Sequence, residues 1–257
     1  MKCRPNQPSD YALETRGLCK EFLGFRAICD VNLRIRRGDI HALIGPNGAG
    51  KTTMFNLLTK FVTRSSGDIL LNGADITHTP PASIAERGMV RSFQISAIFP
   101  EMTALDNVKI ALQKRHGLSR RLFGGAKATR HLDDEAMALL AEVGLAACKD
   151  LIAKDLPHGQ RRSIEFAATL AMDPHVLLLD EPTQGMGIED VDLIARLIKK
   201  ISAKRTIVIV EHNLKVIANI SDRVTVLARG AILAEGSYDE VSKNAAVTSA
   251  YIGAAHA

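Results

Sequence analysis

Eight consecutive residues constrain this chain more than any others: Gly45, Pro46, Asn47, Gly48, Ala49, Gly50, Lys51 and Thr52, with Thr53 following. They fit the pattern G-x-x-x-x-G-K-[ST]. The apolar run His41, Ala42, Leu43, Ile44 before them reads as a short strand, and "KTTMFNLLTK" (51–60) after them reads as a helix. A glycine loop in that position turns backbone N–H groups inward on phosphate oxygens, and the helix N-terminus adds partial positive charge. Lys51 then supplies a cation for β- and γ-phosphates, and the Thr52 hydroxyl is placed to ligate Mg²⁺.

The rest of the chain supplies strands and helices to surround such a loop. Residues 13–93 are strand-rich, with "GDILLNGADI" (67–76) reading as a strand and turn. From 101 to 172 the pattern turns helical. Thr103 with Asp106 reads as a helix start, 133–143 returns to helical spacing, and Gly144 stops it. "HVLLLD" (175–180) and "TIVIVE" (206–211) are continuous apolar strands, separated by an amphipathic helix over 188–201. Strands buried on both faces and joined through helices argue a parallel sheet. "RVTVLARGAILAEG" (223–236) reads as a hairpin turning at Arg229-Gly230. The expected architecture is α/β, with a helical insertion over about 95–172.

Composition removes several alternatives. With 257 residues, 46% of them hydrophobic, the chain has enough apolar material for a full core, and 24% charged residues is a globular value. No run approaches 18 apolar residues, so no membrane span is expected. Residues 1–10 read as a disordered leader without a signal-peptide core. Cys3, Cys19, Cys29 and Cys148 show no CxxC spacing and read as reduced thiols without a metal role. A net charge of +5 suits an anionic ligand or surface. Aromatics are only 4% and Trp is absent, which leaves little with which to stack bases.

Four further polar residues belong beside the loop. Asp180 and Glu181 end the strand begun at Val176, on the rim where open α/β sheets bind ligands. Asp180 is placed to hold Mg²⁺ through water, and Glu181 to orient or polarise an attacking water. His212 follows the second apolar strand, should emerge on the same rim, and is placed to contact a γ-phosphate. Gln94 ends the strand-like "GMVRSFQ" and could reach the same place.

Together these residues resemble the ATP-binding cassette (ABC) ATPases, over about 13–253. The resemblance implies the P-loop NTPase fold in its ABC form: a parallel sheet core, an antiparallel β portion and an inserted helical subdomain. It divides a single domain (11–257) into a nucleotide-binding core (11–94 and 173–237), a helical subdomain (95–172) and a C-terminal helical tail (238–257). It assigns Glu181, His212, Gln94 and Lys51 to catalysis, and Thr52, Gln94 and Asp180 to Mg. It matches Phe22 to an aromatic that stacks on adenine, with a core role and the rival Phe25 left open. Leu156, Pro157, His158, Gly159 and Gln160 stand at the family signature, where Gly159 and Gln160 would cover the phosphates held by a second cassette. A helix is expected to start near Pro157, leaving the Gly159 N–H uncrowded. The chain departs from the family at Pro157, where the signature has serine, and at Gly187, where it usually has aspartate.

"LPHGQRRSIEFA", "EPTQGMG", "VEHNL", the closing "AYIG" and the basic stretch over 114–130 are similar to the branched-chain or hydrophobic amino-acid uptake branch. That branch implies ATP and Mg as cofactors and an ATPase that powers import. It also implies a like or unlike second cassette, integral-membrane permeases and, indirectly, an extracytoplasmic binding protein. Its place would be peripheral, on the cytoplasmic face of a bacterial inner membrane. Ile98, Phe99 and Met102 read as a permease contact or as the subdomain's own core. Arg120, Arg121, Lys127 and Arg130 read as a solvated loop or an anionic-lipid contact. Urea and short-amide importers, a non-transport ABC ATPase and a non-hydrolysing regulator are the alternatives; nucleic acid is not an expected partner.

Overall fold

In the computed structural model, residues 10–92, 98–118 and 131–254 are described. Gln94, the four basic residues Arg120, Arg121, Lys127 and Arg130, Cys3 and most of the expected leader lie outside them.

The apolar strands set the architecture. β4 (Ile40–Ile44), β8 (Val176–Asp180) and β9 (Thr206–Val210) are buried at every position. They lie side by side in parallel with β7 (Met89–Arg91) and β10 (Arg223–Ala228), in the order β10-β4-β9-β8-β7. β11 (Ala231–Gly236) closes one edge antiparallel to β10, turning at Arg229 and Gly230, both at positive φ. A second, antiparallel sheet contains β1 (Tyr11–Phe22), β2 (Phe25–Val31), β3 (Arg34–Arg36), β5 (Ser66–Leu71) and β6 (Ala74–Asp75).

Alternation along each parallel strand divides the core in two. Val176, Leu178, Val208, Val210 and Leu43 point to one face. There they pack with Met54, Phe55 and Leu58 of α1 (Lys51–Leu58) and with the antiparallel sheet. Leu177, Leu179, Ile207, Ile209, Ala42 and Ile44 point to the other. That face carries α3 (Ala104–Arg115), α4 (His131–Glu142), α5 (His158–Leu170), α6 (Ile188–Ser202) and α7 (Leu214–Ile220). A short α2 (Pro81–Glu86) leads into β7. The closing helices, α8 (Tyr238–Ser242) and α9 (Ala245–Ala254), contribute Val241 and Val247 to the same core as the sheet's helical face.

Local chemistry fixes the helix ends. Thr103 caps α3, its hydroxyl accepting from Asp106 N at 3.1 Å; Asp106 answers through its carboxylate to that hydroxyl rather than to the backbone. α6 buries Ile194, Leu197, Ile198 and Ile201, one helical stripe, with Glu189 and Asp190 in its first turn and Lys199 and Lys200 in its last, a match to the helix dipole. α1 is shorter than its sequence suggests. The Thr59 hydroxyl bonds back to Phe55 O at 2.8 Å and Lys60 takes a left-handed φ of 64°, so the helix stops at Leu58 rather than Lys60.

A polar pair lies inside the sheet. His41 on β4 is fully buried, its Nε2 2.7 Å from the Thr225 hydroxyl of β10, which donates on to Glu235 at 3.2 Å. Nδ1 has no partner. The chain of donors therefore places the proton on Nε2, and a second proton on Nδ1 would be buried unpaired. Burial is the main cause that lowers the His41 pKa from 6.5 to about 4; Arg223 acts in the same direction and Glu235 against it. As pH falls the unfolded chain is protonated first. The resulting stability is complete above pH 6.5 and is lost progressively between 6.5 and 4, about 3 kcal/mol in all. His41→Gln, which keeps a donor toward Thr225, should flatten that limb; denaturant melts at pH 7, 5.5 and 4 measure it.

Candidate nucleotide-binding and catalytic site

The glycine loop joins β4 to α1 at the rim of the parallel sheet. Gly45 adopts φ 152°, and a Cβ there would lie 2.2 Å from Leu227 O; Gly50 adopts φ 103°, and its Cβ would lie 2.8 Å from Ala27 O. Only glycine lets the loop sit this tightly against β10 and β2. The turn after β10 buttresses it further, Gly230 N donating to Ala49 O at 3.0 Å and Cys29 N to Gly230 O at 2.8 Å. Lys51 is buried, and its ammonium reaches back to Gly45 O at 2.7 Å and Pro46 O at 3.0 Å. Burial lowers its pKa; the negative charges of Glu181 and Asp180 act the other way. Thr52 is exposed at the start of α1 and Thr53 is half-buried.

The strand parity that sorts the core also aims the carboxylates. Asp180 shares the α1 face with Leu178 and Val176, and it is only 2% exposed. Arg91 stands opposite Leu178 in the β7–β8 ladder and pairs with Asp180 Oδ2. Glu181, one residue on, leaves the strand with φ 45°, a left-handed conformation that an L-residue holds only under surrounding constraint. Its N–H donates to Val210 O at 2.8 Å, and its Oε1 lies 2.8 Å from His212 Nε2. The rim predicted from sequence thus brings together Lys51, Asp180, Glu181 and His212.

Glu211 is a residue that the sequence reading passed over. It is buried, and its carboxylate accepts from three backbone N–H groups: Thr183 at 3.2 Å, His212 at 3.0 Å and Asn213 at 3.2 Å. It ties the loop after Glu181 to the turn that carries His212. Asn213 then caps α7, accepting from Lys215 N and Val216 N. The signal was present as a carboxylate between an apolar strand and a cap residue, but such a Glu usually faces solvent.

Other expected residues differ in detail. Phe22 and Phe25 are register partners flanking the Leu23-Gly24 turn of a hairpin, 43% and 68% exposed, so neither is a core residue. Lys20 Nζ lies 4.5 Å over the Phe22 ring. α5 starts at His158 with Pro157 as its cap, as expected. Gly159 is buried, and a Cβ would meet Asp190 Oδ1 at 2.2 Å, so its small size admits the α6 carboxylate. Gln160 Oε1 lies 4.0 Å from Cys148 Sγ. Gly187 caps α6 with open space where a side chain would stand, so nothing steric demands glycine there.

For a metal, the described residues offer oxygen donors: the Thr52 hydroxyl and the Asp180 carboxylate, whose Oδ1 is not the oxygen taken by Arg91. Among the described residues no group of three or more His, Cys, Asp or Glu could hold an ion alone. A sparse, all-oxygen set fits Mg²⁺, which keeps waters and shares phosphate oxygens.

Residues 28–184 match the family model described as ABC transporter. The chain belongs to that family. This cassette is 39% identical over 251 residues to the high-affinity branched-chain amino acid transport ATP-binding protein BraF of Pseudomonas aeruginosa, covering 95% of the chain and 98% of the relative. It is 35% identical over 252 residues to LivG of Escherichia coli K12, with the same coverage and the same printed function. It is 31% identical over 242 residues to the lipopolysaccharide export ATP-binding protein LptB of Escherichia coli K12, covering 94% of the chain and 97% of the relative. The ADP conformation of the cassette MJ1267 superposes with a TM-score of 0.84 at 28% identity, covering 95% of this chain and 99% of that one.

Replacing Glu211 with Ala should cost the cassette about 2 kcal/mol, since one buried and two part-buried N–H groups lose a charged acceptor. Denaturant unfolding of the variant against wild type measures it.

Proposed function

We propose that this chain is the ATP-hydrolysing subunit of an ABC importer whose cargo is branched-chain or other hydrophobic amino acids. The observation that carries the hydrolytic part is the Glu181–His212 pair, 2.8 Å apart on the rim that Lys51 shares. Phosphates entering the glycine loop would draw the Lys51 ammonium from the carbonyls of Gly45 and Pro46, which are weaker partners than a phosphate oxygen. Thr52, Asp180 and Gln94 would hold magnesium. When bound, that ion neutralises charge on the β- and γ-phosphates. Glu181 orients a water and accepts its proton. His212 fixes the Glu181 carboxylate on the rim where a γ-phosphate would lie. Phe22, or Phe25 beside it on the hairpin tip, offers an exposed ring for adenine.

The assembly is part of the same reading. Gly159 and Gln160 at the start of α5 would meet the phosphates of a second cassette, like or unlike this one. Residues 11–94 and 173–237 form the nucleotide-binding core, 95–172 the helical subdomain and 238–257 the tail. The backbone at Phe99 is clipped to Asn107, whose Oδ1 accepts from Phe99 N at 2.6 Å and whose Nδ2 donates to Phe99 O at 3.1 Å, while the ring is 49% exposed. Ile98, by contrast, packs on the core. Phe99 therefore suits a membrane permease as partner. No helix among the described residues is long and apolar enough to cross a membrane. The cassette would sit peripherally on the cytoplasmic face of the inner membrane, with a binding protein delivering cargo from outside. The cargo is inferred from what BraF and LivG are said to transport.

Glu181→Gln should lower ATP turnover at least about 100-fold while nucleotide binding persists; a variant as fast as wild type would remove Glu181 from the mechanism. Phe99→Asp should abolish recovery of permeases when the tagged chain is purified from detergent-solubilised membranes, with the melting temperature unchanged. Loss of the fold would instead make Phe99 a core residue. In the wild-type purification, the ligand of a co-purifying binding protein names the cargo.

A further inference from the structure

Asp180 is an almost fully buried carboxylate, and its counter-charge is a side chain to which no role has been assigned above. Arg91 extends from the edge strand β7 across the α1 face of the sheet. One guanidinium nitrogen pairs with Asp180 Oδ2, and the other donates to Asn56 Oδ1 at 2.7 Å. Its Cζ lies 5.8 Å from the Phe55 ring centre. Asn56 stands one helical turn beyond Thr52 on α1. Arg91 therefore bridges the two walls that carry the oxygen donors, α1 with its Thr52 hydroxyl and β8 with Asp180. Its side chain is 14% exposed, so water does little to screen it.

We propose that Arg91 is a charge-balancing residue that stands in for the metal's charge in the magnesium-free cassette and thereby weakens the site for a divalent cation. The inference rests on the magnesium reading above. Two effects act in the same direction. The guanidinium occupies Oδ2 and leaves one carboxylate oxygen to the metal. Its own positive charge also stays beside the ion and repels it. The Asp180 backbone is held independently of Arg91, because β8 pairs it with Val210 in the ladder. Removing Arg91 therefore changes the charge at the site more than its geometry. The consequence is a cassette that remains folded without metal and releases it readily after each turnover.

Binding of Mn²⁺, a hard-oxygen substitute for Mg²⁺, reads this without reference to activity. Free Mn²⁺ is followed by electron paramagnetic resonance in the presence of saturating ADP, for wild type, Arg91→Gln and Arg91→Lys. Arg91→Gln should bind Mn²⁺ at least threefold more tightly than wild type, and Arg91→Lys, which keeps the charge, should stay within twofold. Unchanged or weaker binding in Arg91→Gln overturns the proposal, as does an Arg91→Lys shift as large as that of Arg91→Gln. Wild type that binds ADP but no Mn²⁺ would defeat the magnesium reading and this proposal with it. Should Arg91→Gln unfold without metal, it is prepared with Mg·ADP and melted. Its gain in melting temperature from Mg·ADP over ADP with chelator should exceed the wild-type gain, and equal gains overturn the proposal.

Discussion

A carboxylate held out of water at the end of a central strand governs this structure. Asp180 is 2% exposed, and an ion in that position costs several kcal/mol unless a counter-charge is brought to it. Arg91 meets that demand from the sheet edge, and in doing so fixes β7 against α1 through Asn56 and Phe55. The glycine loop, the helix it opens and the acidic strand end are thereby held together by charge as well as by apolar packing. Lys51, which feels the negative charge of both Asp180 and Glu181, belongs to the same balance.

Around that centre the backbone is held in conformations that local preference would not choose. Glu181 takes a left-handed φ, and Gly45 and Gly50 press against Leu227 and Ala27. Such positions persist because neighbours over-determine them. Val210 O fixes the Glu181 N–H, Gly230 fixes Ala49, and Glu211 gathers three N–H groups from two loops. The site is consequently stiff where water and phosphate chemistry require fixed donors and acceptors. Its exposed parts, the Phe22–Phe25 hairpin tip and Phe99, are those suited to meeting other molecules.

The residues most legible in the sequence were those whose role follows from neighbours along the chain. The phosphate loop could be recognised because its strand, glycines, Lys51 and Thr52 are contiguous. β8 and β9 were legible because four apolar residues in a row leave no face for solvent. Arg91 and Glu211 were not, since an Arg on a short strand and a Glu after a strand most often face water. The closeness of Asp190 to Gly159 was not legible for the same reason, since the two stand thirty-one positions apart. The end of α1 was misplaced because a left-handed Lys60 carries no sequence mark.

By itself the sequence determined the kind of chemistry and the kind of fold. Glycines, one lysine and a hydroxyl at fixed spacing specify phosphate, and unbroken apolar strands alternating with helices specify a parallel sheet, because both rest on short-range geometry. Only the tertiary structure decided which charges meet. The parity of β8 turns Asp180 toward α1, the β8–β9 pairing brings Glu181 within 2.8 Å of His212, and the β7–β8 register delivers Arg91 to Asp180. Those pairings join residues far apart in the chain, and long-range electrostatic partners are chosen by strand order and register, which no local pattern encodes.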